Sequence, residues 1–108
     1  MLQIYTGNGK GKTTASLGLA IRAVGAGKRV GIIYFDKGGE VHYSERKILR
    51  ERFAKEITIV PTGLDRIHPV TNKFRFGVTE EDKKEARRGL EIACEWIASK
   101  KFDLIILD

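Results

Sequence analysis

The sequence predicts an α/β fold, a mostly parallel sheet flanked by helices, and three stretches predict it. Residues 2–35 read as strand, helix, strand, and two strands joined by so long a crossover should run parallel. A Gly-rich turn, Thr6-Gly7-Asn8-Gly9-Lys10-Gly11-Lys12-Thr13-Thr14, carries the first strand into the helix. The last apolar run, Leu104-Ile105-Ile106-Leu107, ends on a carboxylate, Asp108.

The 108 residues are the size of one domain, residues 1–108, and such a chain buries roughly two-thirds of its unfolded surface. Twenty Lys and Arg against 14 Asp and Glu leave a net charge of +6, which suits an anionic ligand. That charge is also compatible with nucleic acid, which is not the expected partner here, and the signs interleave in Glu45-Arg46-Lys47 and in Glu81-Asp82-Lys83-Lys84-Glu85, which argues for solvated helix faces. The single cysteine, Cys94, excludes an internal disulfide and is read as a packing residue. No apolar run approaches the ~20 residues that cross a bilayer. The expectation is a cytoplasmic protein without a membrane partner.

Leu2, Ile4 and Tyr5 supply a first, buried strand. Ala15, Leu17, Leu19, Ala20, Ile21, Ala23 and Val24 make the following helix apolar enough to be buried, and Gly25-Ala26-Gly27 gives it a left-handed exit. Between them, Gly7, Gly9 and Gly11 let the amides of Asn8 through Thr14 converge at a helix N-terminus, where free N–H groups and the helix dipole attract phosphate. Lys10 and Lys12 add positive charge, and Thr13 offers a hydroxyl to Mg²⁺. The phosphate-loop pattern G-x-x-x-x-G-K-[ST] is met at Gly11-Lys12-Thr13, while Thr6 stands at its leading glycine.

Val30 to Phe35 is a second buried strand, and Asp36-Lys37-Gly38-Gly39 lies just beyond its C-terminal end, where α/β sheets bind ligands. Asp36 and Lys37 are substrate candidates there, or the flanks of an ordinary turn. Ser44 is read as the N-cap of a helix through Phe53, with Ile48, Leu49 and Phe53 inward and Glu45, Arg46, Arg50 and Glu51 outward. Ile57 to Val60 makes a third strand, which Pro61 ends. Leu64 to Val78 shows no period and is expected to lie near the phosphate-loop edge of the sheet, mobile without ligand. Its Arg66, His68, Lys73 and Arg75 beside Phe74 and Phe76 suit a large anionic or planar ligand, and His68 itself reads as an ordinary loop residue.

Thr79 caps the clearest helix, with Glu80, Glu81 and Asp82 at its positive end. Ala86, Leu90, Ala93, Cys94 and Ile97 recur at helical spacing and are expected to face the sheet, with Trp96 off the stripe's centre. The strand from Leu104 to Leu107 then has the form of a Walker B segment, whose Asp108 should hold Mg²⁺ or its water.

Ile4-Tyr5-Thr6-Gly7-Asn8-Gly9-Lys10-Gly11-Lys12-Thr13-Thr14-Ala15, then Gly18-Leu19-Ala20 and Gly27-Lys28-Arg29-Val30, resembles the ATP:corrinoid adenosyltransferases of the P-loop type, including the absent leading Gly. Phe35, Lys37 and Gly38 are similar to that family's Phe-x-Lys-Gly, and Asp103 to Asp108 resembles its Walker B strand. The chain departs from the family at Gly63-Leu64-Asp65-Arg66, where a Gly-Phe-Thr-Trp-like stretch is usual, and at Asp36, usually apolar.

The resemblance implies a RecA-like P-loop fold and transfer of the 5′-deoxyadenosyl group of ATP to a Co(I) corrinoid, with release of triphosphate. Catalytic roles fall to Lys12, Thr13 and Asp108, with ATP on Gly7 through Thr14 and Mg²⁺ on Thr13 and Asp108. A reductase would supply the electron. Family members continue past Walker B with a strand that inserts between that strand and the phosphate-loop strand. The expectation is therefore an incomplete domain and an empty slot beside Leu104–Leu107. Either Leu104–Leu107 pairs directly with Leu2–Tyr5, or a second copy fills the slot in a homodimer, or the 108 residues are a fragment of a longer protein, the favoured expectation. Weak transfer with partly retained phosphate binding should follow for the chain alone. Two other readings use the same cradle: a kinase or ATPase moving the γ-phosphoryl group, and an ATP-dependent nucleic-acid-binding module.

Overall fold

The structure, a computed structural model, describes residues 1–108. Helix α1 spans Lys12–Gly25, strand β1 Val30–Tyr34, helix α2 Ser44–Arg52, strand β2 Ile57–Pro61, helix α3 Glu80–Ser99 and strand β3 Leu104–Leu107. The strands form one sheet in the order β2-β1-β3, all parallel. Val30 is level with Ile57 on one side and Leu104 on the other. As the middle strand, β1 is buried along its whole length, which is why it reads as an unbroken apolar run rather than an alternation. No helix is long and apolar enough to cross a membrane.

Alternate residues of β1 face two different layers. Val30, Ile32 and Tyr34 join Ala20 of α1 and Leu49 of α2 in one core, with Ile57 and Ile106 from the flanking strands. On the opposite face Gly31 meets the Trp96 ring, and Phe35, just past the strand, lies over Gly89 of α3. Removing a side chain like Ile32 from water stabilises the fold by about 2 kcal/mol.

Those two glycine-to-ring contacts correct the expected orientation of α3. A Cβ on Gly31 would come within 2.6 Å of Trp96, and one on Gly89 within 2.6 Å of Phe35. Large rings seated on bare backbone set the closest approach, so Asp82, Gly89, Ala93 and Trp96 point inward. Of the expected stripe only Ala93 is buried; Leu90 and Ile97 are 55% and 63% exposed, and Ala86 and Cys94 also face outward. Cys94 is therefore not a packing residue.

The expected first strand does not form. Leu2 and Ile4 are 84% and 73% exposed, and residues 1–6 pair with no strand. Both neighbours of β1 are already taken, and direct pairing of Leu2–Tyr5 with β3 does not occur, so an apolar run has no ladder to join. Helix α1 is likewise only half covered, with Ala20 its one fully buried residue and Ile21 44% exposed.

Two details of α2 also differ from expectation. Ser44 is the first helical residue and caps nothing; Tyr43 holds the cap position without a side-chain bond. Arg46, expected outside, is fully buried, stacked between the Tyr34 and Tyr43 rings at 4.3 and 4.1 Å, while Ile48 is 56% exposed. A guanidinium keeps its planar faces weakly hydrated, so it stacks on rings at a cost that a lysine ammonium would not meet as well.

The segment after β2 is tied down along most of its length. Ile67 and Phe74 form an antiparallel bridge, the Arg75 amide donates to Arg66 O, and His68 and Lys73 are joined backbone to backbone. Arg66 reaches Asp36 at 2.7 Å, which places this hairpin on the edge of the sheet where the strands end. Thr79 caps α3 as expected, in a reciprocal pair with Asp82.

Candidate nucleotide-binding site

Gly11 caps α1 at φ 107° and ψ −1°, a left-handed turn that an L side chain would strain. It swings the preceding loop over the helix end. The amides of Asn8 through Gly11 donate to no protein group, and the first turn of α1 adds its own free N–H groups. Lys12 folds back so that its ammonium donates to Gly7 O at 2.9 Å and to Gly9 O at 2.8 Å. The loop and Lys12 are exposed throughout. Unpaired amides, the positive end of a helix and a lysine thus lie together on one exposed loop, the physical requirements for a phosphate chain.

Asp108 closes the site from the sheet side. Its backbone extends the β1–β3 ladder, donating to Ile33 O and accepting from the Phe35 amide. The side chain, 12% exposed, accepts from Thr13 Oγ1 at 2.9 Å on Oδ2 and 3.2 Å on Oδ1. Two residues 95 positions apart are so joined at the mouth of the loop. Their hydroxyl and carboxylate oxygens are hard donors suited to Mg²⁺, which keeps waters and phosphate oxygens for its other positions. No cluster of three or more His, Cys, Asp and Glu forms a protein-only metal cage. The fit is to a metal brought with phosphate.

Lys37 enters the same site, its Nζ 2.9 Å from Asp108 Oδ2. Asp36 does not; at φ 55° its side chain turns to Arg66. His68 stays out as well, its Nδ1 accepting the Val70 and Thr71 amides at 3.2 Å each. Phe74 and Phe76 form an exposed edge-to-face pair 4.8 Å apart.

Behind Lys37 stands a buried group that sequence reading misplaced. Arg46 Nη2 donates to Lys37 O at 2.7 Å, and its Nη1 reaches Glu40 at 3.4 Å. Burial pushes the Tyr34 phenol up to about 12, reinforced by Glu45 and opposed by Arg46. The signal for Arg46 was its spacing: positions 46, 49 and 53 share one helix face with Leu49 and Phe53.

Around the hairpin, Arg75 forms a two-pronged pair with Asp82 at 2.8 and 3.0 Å. That guanidinium, with the Thr79 amide, holds the Asp82 carboxyl well below the usual carboxylate range.

A parallel sheet that places a glycine loop, a Lys-Thr pair and a strand-end aspartate together defines a P-loop α/β domain. The whole chain, residues 1–108, matches the family model described as ATP:corrinoid adenosyltransferase BtuR/CobO/CobP, and it belongs to that family. The corrinoid adenosyltransferase of Escherichia coli K12 is 37% identical over 105 residues, 97% of this chain and 48% of that protein. Corrinoid adenosyltransferase CobA of Salmonella typhimurium LT2 is 50% identical over 60 residues, 56% of this chain and 30% of its own length. The Pseudomonas aeruginosa corrinoid adenosyltransferase is 29% identical over 110 residues, 100% of this chain and 49% of that protein. The chain spans about half the length of these three relatives or less. No solved structure matches it.

Proposed function

We propose that this chain supplies the ATP side of an ATP:corrinoid adenosyltransferase, in the making or salvage of cobalamin. Family membership supports the reaction, and the hydrogen bond from Thr13 to Asp108 at the open loop is the observation that carries the site. In the reaction the Co(I) centre of the substrate attacks C5′ of ATP, a Co–C bond forms and the C5′–O bond breaks. Inorganic triphosphate leaves with the bonding pair, and cobalt ends two electrons more oxidised. A reductase delivering electrons to the corrinoid is the partner this chemistry requires, and the cytoplasm is the compartment that supplies ATP.

The chain's own work is electrostatic. Amides of Asn8 through Thr14 and the end of α1 bind the triphosphate, and Lys12 exchanges its two loop carbonyls for phosphate oxygens. These groups meet more charge as the C5′–O bond breaks, so they lower the barrier rather than only the binding energy. Thr13 Oγ1 and Asp108 would hold Mg²⁺, which supplies further charge neutralisation when bound. No side-chain nucleophile is needed.

The test is to incubate the protein with ATP and chemically reduced corrinoid and follow both products. A slowly growing alkyl-cobalt spectrum, with one triphosphate released per cobalt–carbon bond formed, is expected. ADP with no cobalt–carbon product would overturn the proposal and favour phosphoryl transfer.

A further inference from the structure

Lys37 has a fixed base and a free end. Its amide donates to Thr62 O at 3.0 Å, its carbonyl accepts from Arg46 at 2.7 Å, and Arg46 is itself locked between two tyrosine rings. The next residue, Gly38, lies against the backbone of Gly63 and Leu64. The ammonium, by contrast, ends a flexible stem that is 26% exposed. It lies 6.0 Å from the centre of the Tyr34 ring, and its one ion-pair partner is Asp108 Oδ2. That oxygen also accepts from Thr13 Oγ1.

A divalent cation held by Thr13 and Asp108 would sit on the same carboxylate that Lys37 contacts, and two cations repel at such a distance. Lys37 Nζ and Thr13 Oγ1 each lie 2.9 Å from Asp108 Oδ2, so the ammonium already stands within about two hydrogen-bond lengths of the helix end. We infer that Lys37 is a second triphosphate-binding lysine that exchanges Asp108 for a triphosphate oxygen when metal enters. Lys12 cannot do this, since its ammonium bonds Gly7 and Gly9 and leaves Asp108 alone. The two lysines divide the site: Lys12 serves the loop side and Lys37 the sheet side. The inference rests on the metal and triphosphate site proposed above.

The experiment compares the unmodified protein with Lys37→Gln, which keeps most of the stem and removes the charge. Mn²⁺ binding without nucleotide is read by electron paramagnetic resonance, and inorganic triphosphate binding with Mg²⁺ by calorimetry. Losing the competitor should tighten Mn²⁺ by about threefold, the scale of a partly exposed ion pair. Losing the ligand should weaken triphosphate by about tenfold or more, the scale of a charge-assisted bond. Opposite signs are the signature, because a residue that merely supported the fold would move both affinities together. Parallel changes, or none, with triphosphate still bound by the unmodified protein, overturn the role of Lys37 alone. Failure of the unmodified protein to bind triphosphate with Mg²⁺ overturns the site proposal and this inference together.

Discussion

At Gly7, Gly9 and Gly11 an added Cβ would meet nothing within 4 Å, whereas at Gly38 it would come within 2.5 Å of the Leu64 backbone and at Gly63 within 2.6 Å of Asp36. Both loops sit on the edge where the strands end. In the first, missing side chains leave room for something other than protein. In the second, they let chain lie on chain, and the contact fixes where Lys37 begins. The ion pairs follow the same division: the hairpin beside the second loop is held by Arg66 and Arg75 on Asp36 and Asp82, while Lys12 touches only its own loop's carbonyls. A glycine-rich stretch is therefore a ligand cradle only where the space beside it is open.

The largest effect is expected of Gly38→Ala. A methyl driven into backbone cannot be relieved by a rotamer change, so unfolding free energy should fall by about 3 kcal/mol in a denaturant titration. A loss under about 1 kcal/mol would mean that the second loop tolerates a side chain as the first does. Lys12→Ala comes next. Losing a charged donor to phosphate should weaken ATP binding by about ten- to a hundredfold by calorimetry. The melting temperature should hold, since this side chain is exposed.

Acid should loosen the latched side before the open one. The Asp82 carboxyl lies below its unfolded value of about 3.9, so its contribution is complete above that pH and is lost as pH falls through the folded value. Stability of the unmodified protein should therefore drop more steeply than that of Asp82→Asn as pH falls below about 4. Equal slopes in denaturant midpoints would remove Asp82 from the latch. The smallest effect on the fold belongs to Gly9→Ala, whose methyl meets open space. Stability should stay within about 0.5 kcal/mol, yet ATP affinity should fall severalfold because the methyl stands beside the phosphate amides. A stability loss as large as that of Gly38→Ala would erase the contrast.

Most elements were legible because they obey local rules. The exit at Gly27, the Thr79 cap and the apolar runs of β1, β2 and β3 need only their own residues to be read. Apart from the Ser44 cap, displaced by one residue to Tyr43, what failed depended on a partner distant in sequence. Leu2 to Tyr5 has the composition of a strand, but a strand exists only beside another. The face of α3 was set by Gly31 and Phe35, which no helical periodicity contains. Arg46 shares a helix face with Leu49 and Phe53, but what makes that face tolerate a guanidinium is the ring of Tyr34, twelve residues away on β1. At the site, the Gly-Lys-Thr run and the strand-end Asp108 were readable as separate pieces; Lys37 was a candidate for substrate, and its contact with Asp108 needed the parallel ladder that sets β1 beside β3.

Within these 108 residues the outer side of β3 has no partner strand, which has a consequence for how a chain of this length behaves in bulk solution. Leu107 is 51% exposed, and two copies of the 108-residue chain that meet edge to edge can extend each other's ladder. What keeps them apart is the surplus positive charge of +6. Salt shortens that repulsion to a range of about 8 Å at physiological ionic strength. Colloidal stability should therefore be greatest in dilute buffer and decline as salt is added, opposite to the usual salting-in of a protein near neutrality.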